Sequence, residues 1–415
     1  MQKNVGQWCP APEKPEAICV YEMKRCRLKS GGTVRSSSQI FFSEGSVVAR
    51  TDLFAPTSLS IGKLFRSGVD RIGQKQFVIE EYTMKKIVAI LLLACMMVGL
   101  VACGASEAEY KLGMGVSVST DSSSTGKAQI DATAATVVLD SAGKIVLCRI
   151  DCAQNKMDVT DGAVEADKTF KTKMELGDDY GMVAHGNAVA EWDAQAQAFE
   201  SYVVGKTGEE VKNMETTVNE GGHNVTTDET LYASCSIDIT AFKEAVVKAC
   251  EDSKGQTFKA GKEIKLGLAA ISTAEESKAA TDAEEGAVKM YTEFAATVVG
   301  TDGKILCAIT DAIQPVLKIN AAGEITEATF KGTKRELGAD YGMVAHGNAI
   351  AEWDAQAQAF ADYTVGKTAD EVKGIETTVN DAGHNVTTDE TLLASCTMDI
   401  SGMIAVIAQA AAYAR

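Results

Sequence analysis

Residues 180–199 read YGMVAHGNAVAEWDAQAQAF, and residues 341–360 read YGMVAHGNAIAEWDAQAQAF. The two stretches differ at one position. A second pair, 216–235 and 377–396, matches at 17 of 20 positions with the same offset of 161 residues. Solenoid repeats are much shorter than this period, so the pattern predicts two tandem copies of one domain. The predicted copies cover residues 109–251 and 263–415.

Each copy has the sequence pattern of an antiparallel hairpin near its start. Runs rich in β-branched residues flank a glycine-containing turn, at 134–140 and 145–150 in the first copy and at 295–299 and 305–309 in the second. Between the copies, residues 252–262 are polar and contain glycine, which predicts a linker.

Helices are predicted later in each copy. Apolar residues recur at three- and four-residue steps from Val189 to Val203, which predicts a helix with one apolar stripe, capped at its start by Asn187. The copy then ends with a predicted strand over 233–239 that leads into a helix over 241–250. The predicted fold class is α+β, with antiparallel strands and packed helices.

A different pattern precedes the repeats. Residues 84–86 give a short basic start, residues 87–101 are apolar, and the run ends at Leu-Val-Ala-Cys-Gly with Cys103. This pattern resembles a bacterial lipoprotein signal, in which the cysteine receives a diacylglycerol and becomes the first residue after cleavage. The resemblance implies a signal peptide over 84–102, lipid attachment at Cys103 and a tether over 103–108. The expected location is the cell envelope, on the outer face of the cytoplasmic membrane or on the outer membrane.

Residues 1–83 differ in charge from the remainder. They hold 12 Lys/Arg against 8 Asp/Glu and show no sustained helical or strand period. We expect them to be upstream sequence read in frame, or a disordered segment, rather than a domain.

The predicted exported part is strongly acidic. Of the 40 Lys/Arg and 57 Asp/Glu in the chain, 14 and 8 precede Cys103, which leaves 26 and 49 and a net charge of −23. This charge excludes nucleic acid as an expected partner and leaves the lipid as the means of membrane attachment. Six cysteines follow Cys103, and most are expected to be small apolar core residues.

Two repeated histidine motifs are candidate binding sites. Ala-His-Gly-Asn stands at the predicted helix start, where free N–H groups suit a phosphate and glycine permits close approach, although a plain cap beside a surface histidine explains it equally well. His223 and His384 lie in polar loops, and with nearby carboxylates they offer an alternative metal site.

A third repeated motif precedes the terminal helix. It reads Ala-Ser-Cys-Ser at 233–236 and Ala-Ser-Cys-Thr at 394–397. Its cysteine is either redox-active or a small buried residue, and the buried reading is favoured.

Three stretches of each copy resemble the small FMN-binding domains of bacterial envelope lipoproteins, including the group called major membrane immunogen. In the first copy they are the hairpin with Asp-x-x-Gly-Lys-Ile, then Glu-Leu-Gly-x-Asp-Tyr-Gly-Met before a helix with Glu-Trp, and finally Ser-Ile-Asp-Ile-Thr-Ala-Phe-Lys-Glu-Ala-Val. The resemblance implies two tandem FMN-binding-like domains. In flavin-binding relatives a Ser-Gly-Ala-Thr motif carries the FMN on its threonine, and Ser236 and Thr397 stand at that position.

The resemblance also implies how FMN would be held. Ala-Ser-Cys replaces Ser-Gly-Ala in both copies, which favours noncovalent binding. The phosphate is expected near the Gly347–Asn348 helix start, with Tyr341 or Trp353 against the ring, although the helix pattern favours a core position for Trp353. The expected cofactor-binding residues are Tyr180, His185, Gly186, Asn187, Ser236, Tyr341, His346, Gly347, Asn348 and Thr397.

The expected function is extracytoplasmic electron transfer by a lipid-anchored protein with redox partner proteins, as a carrier rather than a turnover enzyme. The alternative is a non-catalytic surface lipoprotein that binds a ligand or partner and has lost the flavin. A third reading is a metal-binding module built on His223 and His384.

Overall fold

The computed structural model describes residues 38–43, 46–51, 107–186, 188–261 and 263–415. The chain divides into two units, residues 1–91 and 92–415. In the first unit, strands β1 (Ser38–Ser43) and β2 (Ser46–Thr51) form an antiparallel hairpin that the sequence pattern did not predict. The predicted signal peptide and Cys103 lie outside the described residues.

The second unit holds both repeats. Elements of the first copy are β3 (Ala108–Ser119), β4 (Lys127–Leu139), β5 (Ile145–Asp158), α1 (Lys173–Leu176), α2 (Met182–Gly186), α3 (Trp192–Val203), α4 (Gly208–Lys212), β6 (Thr216–Val218), β7 (Asn224–Thr226), α5 (Glu229–Tyr232), α6 (Thr240–Glu251) and β8 (Gln256–Ala260).

The second copy follows a similar order. Its elements are β9 (Lys265–Thr273), β10 (Gly286–Lys289), β11 (Tyr291–Val299), β12 (Ile305–Ile313), β13 (Val316–Ile319), β14 (Ile325–Thr329), α7 (Lys334–Leu337), α8 (Met343–Gly347), α9 (Trp353–Tyr363), α10 (Ala369–Lys373), β15 (Thr377–Val379), β16 (Asn385–Thr387), α11 (Glu390–Leu393) and α12 (Ser401–Ala412). Strand β10 comes before its hairpin strands β11 and β12, and strands β13 and β14 come after them.

Two antiparallel sheets form the centre of this unit. Their strand orders are β5-β4-β3-β8 and β12-β11-β9. One hydrophobic core joins them, with Leu112 and Ile130 from the first sheet and Leu268 and Phe294 from the second. The helices of each copy cover the opposite face of that copy's own sheet. The layers therefore run helix, sheet, sheet, helix, and the two copies share a core.

The terminal helix of each copy lies very close to its sheet because glycine leaves room for it. A Cβ atom on Gly113 would lie 2.0 Å from the backbone oxygen of Ala249 in α6. A Cβ atom on Gly267 would lie 1.8 Å from the backbone oxygen of Ala410 in α12. The Lys-Leu-Gly motif that opens each copy therefore sets the position of the helix that ends it.

Several sequence expectations are confirmed and others are wrong in detail. The α+β class and both hairpins are confirmed. The long helix begins at Trp192 rather than near Asn187, and Val189 is 59% exposed instead of buried. Residues 233–239 form no strand, because the chain there turns from α5 into α6. The segment 252–262, predicted as a linker, contains strand β8, which pairs with β3.

The short helices α1 and α7 each contact the other copy through the glutamate of their N-terminal capping box. In α1, Glu175 Oε2 accepts from Thr172 N at 2.9 Å, while its Oε1 accepts from Gln409 Nε2 of α12 at 2.6 Å. In α7, Glu336 closes its own capping box in the same way, and its Oε1 lies 3.1 Å from Lys248 Nζ of α6. Each capping glutamate therefore joins its short helix to the terminal helix of the other copy.

Candidate functional site

Two of the predicted site residues in the second copy, Tyr341 and Thr397, lie near the start of α9. Gln356, in the first turn of α9, accepts from Thr397 N at 2.9 Å and from Thr397 Oγ1 at 3.3 Å. The rings of Tyr341 and Trp353 share one neighbour, the ammonium group of Lys334. Residues far apart in sequence thus meet at one place.

Lys334 fills the space between the aromatic rings. Its Nζ lies 4.7 Å from the ring centre of Tyr291, 4.8 Å from that of Tyr341 and 5.2 Å from that of Trp353. The side chain is buried, so these cation–π contacts are largely shielded from water. The aromatic cluster is a cage that already holds a cation, and Trp353 is a core residue, as the helix pattern favoured.

The first copy repeats this cage in a smaller form. Lys173 Nζ lies 4.9 Å from the ring centre of Tyr180 and 5.3 Å from that of Trp192. Ser236 N donates to Gln195 Oε1 at 2.9 Å, as Thr397 does to Gln356. Both copies therefore build the same arrangement.

The His-Gly-Asn segment lies at a helix end instead of a helix start, which corrects the sequence prediction. His346 and Gly347 close the short helix α8, and Asn348 is its C-cap in the left-handed conformation, with φ at 52°. Exposed carbonyl oxygens and the negative end of the dipole lie there, which disfavours a phosphate. In the first copy His185 and Gly186 end α2 in the same way, and Asn187 lies outside the described residues.

A carboxylate already occupies the other end of this short helix. Glu352 accepts from Met343 N at 2.9 Å and from Val344 N at 3.2 Å. In the first copy Glu191 accepts from Met182 N at 2.8 Å and Val183 N at 2.9 Å.

The repeated cysteine before the terminal helix is a core residue. Cys235 and Cys396 are fully buried among apolar side chains. Burial raises the pKa of each thiol to about 11, which leaves little thiolate at neutral pH.

Taken together, these residues do not fit FMN in the predicted arrangement. The ring faces hold a lysine side chain, and the hydroxyl group of Thr397 bonds to Gln356. The phosphate would meet carbonyl oxygens at Asn348 and the Glu352 carboxylate nearby.

Each copy also has a buried aspartate that the sequence analysis missed. Asp311 Oδ1 accepts from Ala312 N at 2.8 Å and from Arg335 N at 3.0 Å, and it thereby ties β12 to α7. Asp151 does the same in the first copy, and burial raises the pKa of both carboxyl groups to about 6. The available signal was an aspartate at the same position of an apolar strand in both copies.

A cleft lies between the copies, away from these sites. Its volume is about 340 Å³, and side chains of β5, α1 and the segment after α12 line it. None of the predicted cofactor-binding residues lines it.

Within residues 107–186, 188–261 and 263–415, no three histidine, cysteine or acidic side chains converge as metal ligands would. In the part of the chain that the structure describes, no helix has the length and apolarity needed to cross a bilayer. His223 and His384 lie exposed at turns.

Comparisons with protein-family models, with curated proteins and with solved structures gave no match.

Proposed function

We propose that this chain is a lipid-anchored, extracytoplasmic binding protein, without catalytic activity, made of two fused FMN-binding-like domains that have lost the flavin. The observation that carries the proposal is the lysine inside each aromatic cage. Lys334 and Lys173 occupy the ring faces that a flavin would need, and both copies keep this arrangement. The lipoprotein signal pattern that ends at Cys103 supports attachment to the envelope.

The acidic surface agrees with this proposal. A net charge of −23 on the predicted exported part keeps the protein away from anionic lipid head groups, so the lipid alone would hold it at the membrane. A tethered protein of this kind presents its ligand site to the space outside the cytoplasmic membrane.

A second candidate function is electron transfer with noncovalent FMN. Tyr341 and Thr397, which the resemblance assigns to FMN, both lie near the start of α9, and this proximity supports FMN binding in an arrangement other than the predicted one. Noncovalent FMN would supply the redox chemistry, and the protein would tune it.

Visible absorbance and FMN titration separate the two functions. We expect the purified exported chain to be colourless, and FMN fluorescence to stay constant when protein is added. The matched variant for the same titration is Lys334→Met, which removes the ammonium group from the aromatic cage but keeps the apolar stem. Stoichiometric flavin in the native protein, or tight FMN binding that Thr397→Ala weakens, would establish the electron carrier instead.

A further inference from the structure

The two copies contact each other at two junctions, which occupy equivalent positions in the fold but contain different side chains. At one junction α7 meets the end of α6, and at the other α1 meets the end of α12. The offset of 161 residues makes Met174 the counterpart of Arg335 and Tyr413 the counterpart of Asp252. The residues at one junction can therefore be compared directly with their counterparts at the other.

The first junction is closed by a buried ion pair. Arg335 Nη1 lies 2.9 Å from Asp252 Oδ2, and the two side chains are 7% and 10% exposed. Arg335 Nη2 also donates to the backbone oxygen of Lys254 at 2.7 Å. Charged side chains thus fill this junction, and their charges are paired with each other.

The second junction is open. Met174 and Tyr413 stand where the ion pair would be, and they line the cleft of about 340 Å³ together with Leu268. Two neutral side chains stand in place of the pair that closes the other junction, and both apolar and charged side chains line the space between them.

The open junction also has an arginine that its counterpart lacks, Arg149, whereas Arg415 corresponds to Lys254 of the closed junction. Arg149 lies 3.3 Å from the buried carboxylate of Glu200, and Arg415 lies 3.1 Å from it, so two guanidinium groups share one carboxylate. The hairpin strands of the two copies align with an offset of 160 residues, so the counterpart of Arg149 is Ile309, and the counterpart of Glu200, at the offset of 161, is Ala361. Arg415 is 41% exposed, and its Nε and Nη1 have no hydrogen-bond partner among the described residues.

The two acidic groups that line the cleft are already engaged. Glu175 Oε1 accepts from Gln409 and from Tyr413, and Asp151 Oδ1 accepts from two backbone N–H groups. The charged group left to contact a ligand is the guanidinium of Arg415, and Met174 and Leu268 line the same cleft.

We propose that this cleft binds a small organic anion, a carboxylate on an apolar body. The carboxylate would pair with Arg415, and the apolar part would lie against Met174, Leu268 and Tyr413. Guanidinium and carboxylate match in charge and in planar geometry, which makes arginine well suited to this head group. The proposal rests on the proposed function, since it names the ligand class of a binding protein.

The test is calorimetric titration of the full chain in nonionic detergent with three probes that share one body. They are 3-phenylpropionate, 3-phenylpropanol and 3-phenylpropylamine. We expect the carboxylate to bind, and the alcohol and the amine to bind about tenfold more weakly or not at all. Arg415→Gln should reduce carboxylate binding by a similar factor, while Lys373→Gln, which removes one exposed positive charge outside the cleft, should leave it unchanged.

A double variant, Met174→Arg with Tyr413→Asp, transfers the closing ion pair to the open junction. It should abolish carboxylate binding while the thermal unfolding transition remains cooperative. Equal binding of all three probes, no binding of the carboxylate, or binding that survives both Arg415→Gln and the double variant would overturn the cleft proposal. Flavin absorbance in the same samples would contradict the proposed function, whatever the probes do.

Discussion

Arg335 and Asp252 form a buried ion pair, 2.9 Å long, between the second copy and the end of the first copy's terminal helix. Asp252 Oδ2 also accepts from Met114 N at 3.2 Å, so the pair joins α7, the end of α6 and strand β3. Residues on both sides of the predicted domain boundary therefore depend on each other.

Breaking this pair should destabilise the whole second unit. Arg335→Met leaves Asp252 buried without its cation, and we expect a loss of about 3–5 kcal/mol in the free energy of unfolding. Adding Asp252→Tyr gives this junction the same neutral methionine and tyrosine as the other junction. The double variant should therefore recover part of the lost free energy of unfolding. Urea unfolding of the two single variants and the double variant measures the coupling, and strictly additive losses would show that the two side chains act independently.

The glycines beneath the terminal helices should tolerate no side chain. Gly113→Ala places a Cβ atom 2.0 Å from the backbone oxygen of Ala249, and we expect a loss of about 1–3 kcal/mol or more as α6 is pushed away. Gly347→Ala is the matched control, because no atom lies within 4 Å of its added Cβ, and its effect should stay within about 1 kcal/mol. Thermal unfolding followed by circular dichroism compares them, and equal melting temperatures would contradict the close contact.

The buried aspartates should make stability fall as pH rises through their range. Burial raises the folded-state pKa of Asp311 and of Asp151 to about 6, above the ordinary value of 3.8. Between those values the folded protein binds more protons than the unfolded chain. Each aspartate therefore contributes stability at low pH that is lost between about pH 4 and pH 6, amounting to roughly 1–3 kcal/mol.

Asn variants test this pH dependence. Asp311→Asn should flatten part of the slope of unfolding free energy between pH 4 and pH 6, and the double variant with Asp151→Asn should flatten more. The Asn side chain keeps an oxygen that accepts the backbone N–H bonds. An unchanged slope in the double variant would show that other groups dominate in this range, such as Glu200 and Glu293, whose pKa values burial also raises.

The caged lysine should contribute measurably to stability. Lys334→Met keeps the apolar stem and removes the cation, and we expect a loss of about 1–2 kcal/mol because three rings surround the ammonium group away from water. Lys367→Met is the control, since Lys367 lies over a single ring, that of Tyr363. Chemical unfolding compares the pair, and a control loss as large as that of Lys334→Met would refute a special role for the cage.

The sequence was a reliable guide where the structure depends on local pattern. Strands on both sides of Gly143 follow from alternating and β-branched residues, and the buried stripe of Trp192, Ala196, Phe199 and Val203 follows from helical spacing. These features depend on neighbours a few residues apart, which a periodicity argument captures.

The candidate site was harder to predict because tertiary contacts decide it. Asn348 was predicted to begin a helix, but Glu352 bonds to the amides of α8, and the chain needs a further turn before α9 can start. A lysine between aromatic rings has no local signature, because Lys334 and Tyr291 lie 43 residues apart. The cleft depends on Met174 and Tyr413, which meet only because the copies pack together.

The capping glutamates make reciprocal contacts between the two copies. Glu175 of one copy contacts Gln409 of the other, and Glu336 contacts Lys248 at the reciprocal positions. Contacts in which position i meets j and j meets i are the signature of a two-fold symmetric homodimer. The two copies of this one chain thus contact each other in the manner of the subunits of a two-fold symmetric dimer, with a covalent connection in place of a second chain.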